Sequence, residues 1–392
     1  MPTTGGLYLP TEILLIIAAM LWFDQSYDPD GMKMMERQKT FYNFCLVSRQ
    51  WYSVGTPHLY RVPQIWQGNK FLQFTNTVCP PRGAKKSQMD FGSLVKILHL
   101  GSLVHQSSNS LTSRLLSRVK KSLVVFIAPQ TGISVNSLAS IAKCHQLRQL
   151  DLSLVRGGMI GFSLLKRTVS NLPELLTLNL PSGMELATST GHWPSKLSSM
   201  VIGGTLSADL MADFDWPPNI RRIELKQCKN LDTPILESLL SNQQIRTKLE
   251  ALIIDRDNRD MFTDELDTTV LYGLERLFYL KVPLDFVEFL AILPPPSELH
   301  SLPLRILELT SQYYQDEVQF DFADELQAAL DQNLRHLWAL GVGESSLRYI
   351  EEAYSSIDDK IWSHIEAYPE DELTKAGIDD VGIYTIDDDP LE

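Results

Sequence analysis

The chain has 392 residues, 44% hydrophobic and 21% charged, which is the composition of a soluble globular protein with enough chain for a large core. Its formal net charge is −13, and residues 351–392 alone hold fourteen Asp and Glu against two Lys, a net of −12. The preceding 350 residues then sit near neutrality at −1, a balance that speaks against nucleic-acid binding, which wants a basic surface.

Four cysteines, Cys45, Cys79, Cys144 and Cys228, lie far apart and form no CxxC or CxxH pair. They offer neither a zinc site nor a disulfide framework and suit a reducing compartment, so a cytoplasmic or nuclear address is expected. The motifs GxSxG, HExxH, GxxxxGK[ST] and GxGxxG do not occur, and the eight histidines show no ligand spacing. The expectation is a protein that is not an enzyme and uses no cofactor and no metal.

The first predicted element is a helix in "YLPTEILLIIAAML". Pro10 stands near its first turn, where a missing N–H does no harm, and Glu12 follows where the helix dipole favours an acid. Ile13, Leu14, Ile16, Ile17, Met20 and Leu21 make it apolar on more than one side, so it must be enclosed. The apolar run Ile13–Phe23 is eleven residues, too short for a bilayer, and no basic residue precedes it as in a signal peptide. Residues 24–39 then read as an insertion between helices, with a turn at "DPDG". A calcium loop set on Gly31 would place Ser26 at its first position and Arg37 where a bidentate glutamate belongs, so that reading fails. "TFYNFCLVSRQWYSVGTP" is a second helical region that stops before Pro57, with Phe44, Val47 and Trp51 at spacings of three and four.

From Val95 the pattern becomes a repeat. LxxLxL cores start at Val95, Leu123, Leu147, Leu175, Leu197, Ile220, Leu249, Leu274, Leu304 and Leu334, at intervals of 22 to 30 residues. Helical stretches such as "VNSLASIAKC", "PILESLLSN", "LDFVEFLAIL" and "FADELQAAL" lie between them. One strand and one helix per repeat make an α/β solenoid that buries leucines between coils. With those leucines inward, the concave face is expected to show Arg222, Glu224, Lys226, Asp255, Arg276, Phe278, Glu308, His336 and Trp338, the candidate substrate-binding residues. "SRLLSRVKK" at 113–121 reads as a solvated basic face. Residues 344–370 read as a helical cap and 371–392 as an acidic, disordered tail.

The two ends of the first segment carry a resemblance. Leu9-Pro10-Thr11-Glu12-Ile13 followed by Leu46-Val47-Ser48-Arg49-Gln50-Trp51 resembles both halves of the F-box in order, and "TPHLYR" is similar to fungal F-box proteins in particular. The 24–39 insertion departs from the family's shorter linker. The resemblance implies an F-box over 1–62, a linker over 63–93 and a leucine-rich-repeat-like solenoid over 94–343. It also implies Skp1 as a partner, and through Skp1 a cullin. Leu9, Pro10, Ile13, Leu14, Leu46, Val47 and Trp51 would face or support the adaptor. The function implied is that of the substrate-recognition subunit of an SCF-type E3 ubiquitin ligase, with an unknown protein substrate and no nucleic-acid or membrane partner. The alternative is a cullin-independent interaction scaffold.

Overall fold

The computed structural model describes residues 9–23, 32–66, 68–81, 89–103, 109–130, 133–156, 158, 160–228, 231–255, 258, 269–292, 302–310, 321–366 and 381–386. Four helices come first: α1 (Thr11–Phe23), α2 (Met32–Leu46), α3 (Arg49–Arg61) and α4 (Gly68–Val78). Strands and helices then alternate through β1 (Ile97–His99), α5 (Asn109–Val119), β2 (Val125–Ile127), α6 (Val135–Ile141), β3 (Gln149–Asp151), α7 (Phe162–Val169) and β4 (Thr177–Asn179). They continue through β5 (Ser199–Gly204), α8 (Ala208–Asp213), β6 (Arg222–Cys228), α9 (Thr233–Ser241), α10 (Gln243–Lys248), β7 (Ala251–Ile254), α11 (Thr269–Tyr272), β8 (Tyr279–Pro283) and α12 (Phe286–Ile292). The last elements are β9 (Ile306–Thr310), α13 (Phe322–Gln332), β10 (Ala339–Gly343), α14 (Tyr354–Ile365) and β11 (Gly382–Ile386). Among the described residues no helix is long and apolar enough to cross a membrane.

The chain divides into two compact units, residues 1–155 with 168–175, and residues 156–167 with 176–392. The first holds strands β1 to β3 and the second β4 to β11, parallel and in chain order within each. Parallel neighbours in chain order with helical returns are the α/β solenoid that the repeat calls for.

Inside the first unit the helical module and the first coil share a seam. The Lys96 amide donates to the Arg61 carbonyl at 2.9 Å, and the Tyr60 ring lies 4.7 Å from Phe91. The stretch expected to be a linker, 63–93, contains α4 and a 3-10 turn at Phe91–Leu94. Phe71, Thr75 and Val78, at spacings of four and three, bury one face of α4 and account for it.

In regular coils the LxxLxL triplet is fully enclosed. Leu147, Leu150 and Leu152 have no exposure, nor do Ile220, Ile223 and Leu225. Two coils depart from the sequence reading. Strand β8 begins at Tyr279 and β10 at Ala339, so the buried triplets there are Leu277, Leu280, Val282 and Leu337, Leu340, Val342. The reason is a buried anchor three residues ahead of the triplet, whose carbonyl accepts the amide of the first triplet residue. It is Cys144 before Leu147, at 2.9 Å, but Leu274 before Leu277 and Leu334 before Leu337. A leucine at the anchor extends the three-residue spacing backward and makes the frame ambiguous. Arg276 and His336 therefore lie in the turns ahead of the strands, and Phe278 and Trp338 lie just before the first strand residue. Trp338 is completely buried, with the Arg305 guanidinium 4.3 Å from its ring centre.

Between β4 and β5 there is no helix. Pro181, Gly183, Gly191 and Pro194 break the pattern, and Trp193 fills the space beside Phe162 and Phe214, its Nε1–H donating to the Asp215 carbonyl at 2.6 Å. The cap region carries a 3-10 turn at Glu344–Tyr349 and then α14. The tail expected to be disordered over 371–392 contains β11, whose Tyr384 pairs with Gly341 of β10; residues 371–380 and 387–392 lie outside the described residues.

The corrected frame is testable. Trp338→Ala is expected to cost about 3–5 kcal/mol in chemical denaturation, the range for emptying a buried large aromatic site. Phe278→Ala at the matching position, where the side chain is 40% exposed, is expected to cost less than half as much.

Candidate functional site

The α1–α3 bundle closes around Leu14, Ala18, Phe41, Phe44 and Val54, with Leu9, Ile17, Leu21, Trp22, Trp51 and Leu59 packed at its margin. Leu14 and Ala18, four apart, form the inward stripe of α1. The same helix leaves Ile13, Ile16 and Met20 bare, at 42%, 54% and 66% exposure. Leu46 and Val47, at the corner between α2 and α3, are 67% and 60% exposed. With Leu15, also exposed, four hydrophobic residues of one helix and two of a neighbouring corner are thus left in water by a bundle that has already closed.

Local chemistry brings these groups to one end. Ser48 caps α3, its hydroxyl accepting from the Trp51 amide at 3.3 Å, and so fixes where the helix starts. Gln50, in the first turn of α3, donates from Nε2 to the Leu9 carbonyl at 2.9 Å and to Thr11 Oγ1 at 3.1 Å. The start of α3 is thereby tied to the start of α1. The Pro10 carbonyl accepts the Ile13 and Leu14 amides, so the Leu-Pro step opens the helix directly. His58 lies flat on Phe41, ring centres 5.0 Å apart, and burial followed by the nearby Arg61 charge pulls its pKa below the usual histidine value.

The structure separates the seven residues expected to serve the adaptor. Pro10, Ile13, Leu46 and Val47 are exposed. Leu9 and Trp51 are half-buried supports, Trp51 with its ring 4.4 Å from that of Phe44. Leu14 is a core residue with no exposure, clustered with Phe41 and Phe44, so of the two expected roles its position allows support and not direct contact. Ile16, Met20 and the Gln50 tether were not singled out. Ile13, Ile16 and Met20 share a stripe at spacings of three and four, which the all-round apolar character of α1 already signalled.

The second surface is the face of the second unit's strands that alternates with the buried triplets, the face expected to be concave. Arg222, Glu224 and Lys226 line β6; Arg222 lies 3.7 Å from Glu224, and Lys226 lies 3.3 Å from Asp255. Glu308 is held from three sides. Its Oε2 accepts from the Tyr279 hydroxyl at 2.8 Å and from Lys281 Nζ at 3.0 Å, and its Oε1 accepts from the Tyr384 hydroxyl at 2.9 Å. Burial, then the Glu308 charge, pushes the Tyr279 phenol well above its ordinary pKa, so it stays a donor. Glu308 and Tyr384 meet across β10 because Gly341 stands between them: a Cβ there would come within 2.8 Å of Glu308 Cγ and 2.9 Å of Tyr384 Cζ. Tyr279 and Lys281 take the positions that had been given to Arg276 and Phe278, Ala339 and Gly341 take those given to His336 and Trp338, and Tyr384 stands next to Gly341 on β11. Among the described residues no group of His, Cys, Asp and Glu could hold a metal ion.

No family model matches the chain. It is 29% identical over 246 residues to F-box protein YDR306C of Saccharomyces cerevisiae, covering 62% of the chain and 49% of that protein. It is 26% identical over 330 residues to Protein pof5 of Schizosaccharomyces pombe, covering 82% of the chain and 90% of that protein. The chain thus spans about half the length of the first relative. Among solved structures an internalin of Listeria monocytogenes aligns with a TM-score of 0.33 and 15% identity, covering 69% of the chain and 76% of its own.

The split of α1 into two faces predicts unequal substitutions. Leu14→Ala is expected to cost about 2–5 kcal/mol in denaturant titration, and Ile13→Ala about 0.5 kcal/mol or less. The lowered His58 pKa gives stability that is present above its unfolded value of 6.5 and lost as pH falls through the folded value. A His58→Gln variant should therefore show a smaller fall in Tm between pH 7.5 and pH 5 than the wild type.

Proposed function

We infer from its similarity to two fungal proteins, one of them named for the F-box that Leu9–Ile13 and Leu46–Trp51 resemble, that the chain carries an F-box. We propose that it is the substrate-recognition subunit of an SCF-type ubiquitin ligase, with Skp1 seated on the bare face of the helical bundle and a target protein on the concave face of the solenoid. The observation that carries this reading is the unclosed hydrophobic face made by Ile13, Ile16, Met20, Leu46 and Val47. Burying such side chains is worth roughly 1.5–3 kcal/mol each. A partner helix lying against α1 and the Leu46–Val47 corner would complete the bundle.

In this role the protein carries out no bond chemistry. It holds a target close to a ubiquitin-charged enzyme and raises the effective concentration of the target's lysines. The target-facing set is Arg222, Glu224, Lys226, Tyr279, Lys281 and Tyr384. Each cation there already has an acid within 4 Å, which makes the surface ordered before a target arrives.

The test is co-expression of the full chain with a fungal Skp1 and a tagged cullin. Wild type is expected to co-purify with both. Ile13→Asp combined with Val47→Asp should abolish capture while leaving the thermal melt unchanged, because both positions are exposed. A folded wild-type chain that fails to retain Skp1 sinks the adaptor reading. Retention of Skp1 without cullin replaces the ligase with a cullin-independent scaffold.

A further inference from the structure

The near-neutral balance of residues 1–350 hides a division. Residues of the first compact unit carry sixteen Lys and Arg against eight Asp and Glu, a net of +8, and those of the second carry nineteen against forty, a net of −21. Part of that excess lies in the stretch from α2 to α4, while residues 82–121, with eight bases against one acid, are more basic still. From Met32 to Val78 there are six bases, Lys33, Arg37, Lys39, Arg49, Arg61 and Lys70, and one acid, Glu36, for a net of +5.

That stretch also contains a cleft of about 570 Å³ between α2, the end of α3 and α4. Leu59, Pro63 and Ile65 line it deeply, and Met35, Tyr42 and Trp66 are its exposed walls. Lys39 from α2 and Lys70 from α4 stand on its lips, and neither has an acidic partner among the described residues. Glu36 is the single acid on the lining.

We propose that this cleft binds an acidic peptide segment carrying one bulky apolar anchor. The charge selects the sign of the ligand: two uncompensated ammonium groups flank an apolar floor in a region of net +5. The floor selects a side chain over a nucleobase. Leu59, Pro63 and Ile65 line it, and the Tyr60 ring is already engaged by Phe91 at 4.7 Å and Phe74 at 6.3 Å, so the aromatic rings left open, Tyr42 and Trp66, stand on the walls and not on the floor. The exposed walls select a passing chain over an enclosed small molecule. The site is separate from the bare face of α1 and does not depend on the adaptor reading.

The experiment is fluorescence anisotropy with the full chain. The probe is a fluorescein-labelled ten-residue peptide of Asp and Glu around a central Leu-Phe pair. The counter-probes are the same peptide with Asn and Gln in place of the acids, and a labelled decauridylate. The acidic peptide is expected to bind saturably, and Lys39→Glu with Lys70→Glu to weaken it by about tenfold or more. Lys39→Arg with Lys70→Arg should retain binding, which separates charge from folding damage, and matching circular-dichroism melts confirm intact variants. Equal binding of the neutral peptide, an unaffected charge-reversal variant, or preference for the uridylate overturns the proposal. Skp1 capture by the same variants is scored separately, so a failure of either reading leaves the other visible.

Discussion

A coil of a parallel solenoid cannot bury its own leucines, and everything else in this protein follows from that dependence. Leu150 of β3 sits in register with Phe126 of β2, and Leu307 of β9 lies between Leu280 and Leu340. Each such side chain loses its water only when the next coil arrives. The stack therefore has to be ended rather than merely stopped. In the first unit the Arg61 carbonyl takes up the Lys96 amide just ahead of β1, which makes the helical module the terminator of the first coil. In the second unit β11 extends the ladder from β10, tied down by the Asp358 carboxylate, which accepts the Ile383 amide at 3.1 Å.

The helical module shows the opposite condition. Its core is complete with five buried residues, yet α1 is apolar around most of its circumference. A helix of thirteen residues in a three-helix bundle can hide only the stripe that faces its neighbours. The surplus has no structural use within the bundle. Gln50 and Ser48 spend their hydrogen bonds on fixing the corner where that surplus is greatest, so the exposed residues are held in place rather than left to collapse inward.

Much of this was legible in the sequence, and the misses have definite causes. The solenoid, its strand positions in the coils at Leu147, Ile220 and Leu304, and most intervening helices follow from leucine spacing, because a triplet buried on one side of a short strand has few other solutions. The coils at Leu274 and Leu334 misled by three residues, since an anchoring leucine imitates the first residue of the triplet. The inward place of Leu14 could not be separated from the outward place of Ile13 by composition, as both are aliphatic. The role of Gly341 was invisible because it depends on two partners 33 and 43 residues away in opposite directions. The basic character of the first unit was concealed by averaging it with an acidic neighbour.

The Glu308 cluster has a consequence for how the chain can change over time. Coils of a solenoid are largely interchangeable parts, and repeats are readily gained or lost where contacts run only between neighbours. Here Tyr279, Glu308, Gly341 and Tyr384 bind four successive coils into one arrangement, with the two hydroxyls joining Lys281 on the carboxylate and the absent Cβ leaving room for Tyr384. A duplication or deletion inside 279–384 would take hydrogen-bond donors away from a half-buried charge. That stretch should be inherited as a block, with its four positions changing together or not at all, while the earlier coils remain free to vary in number.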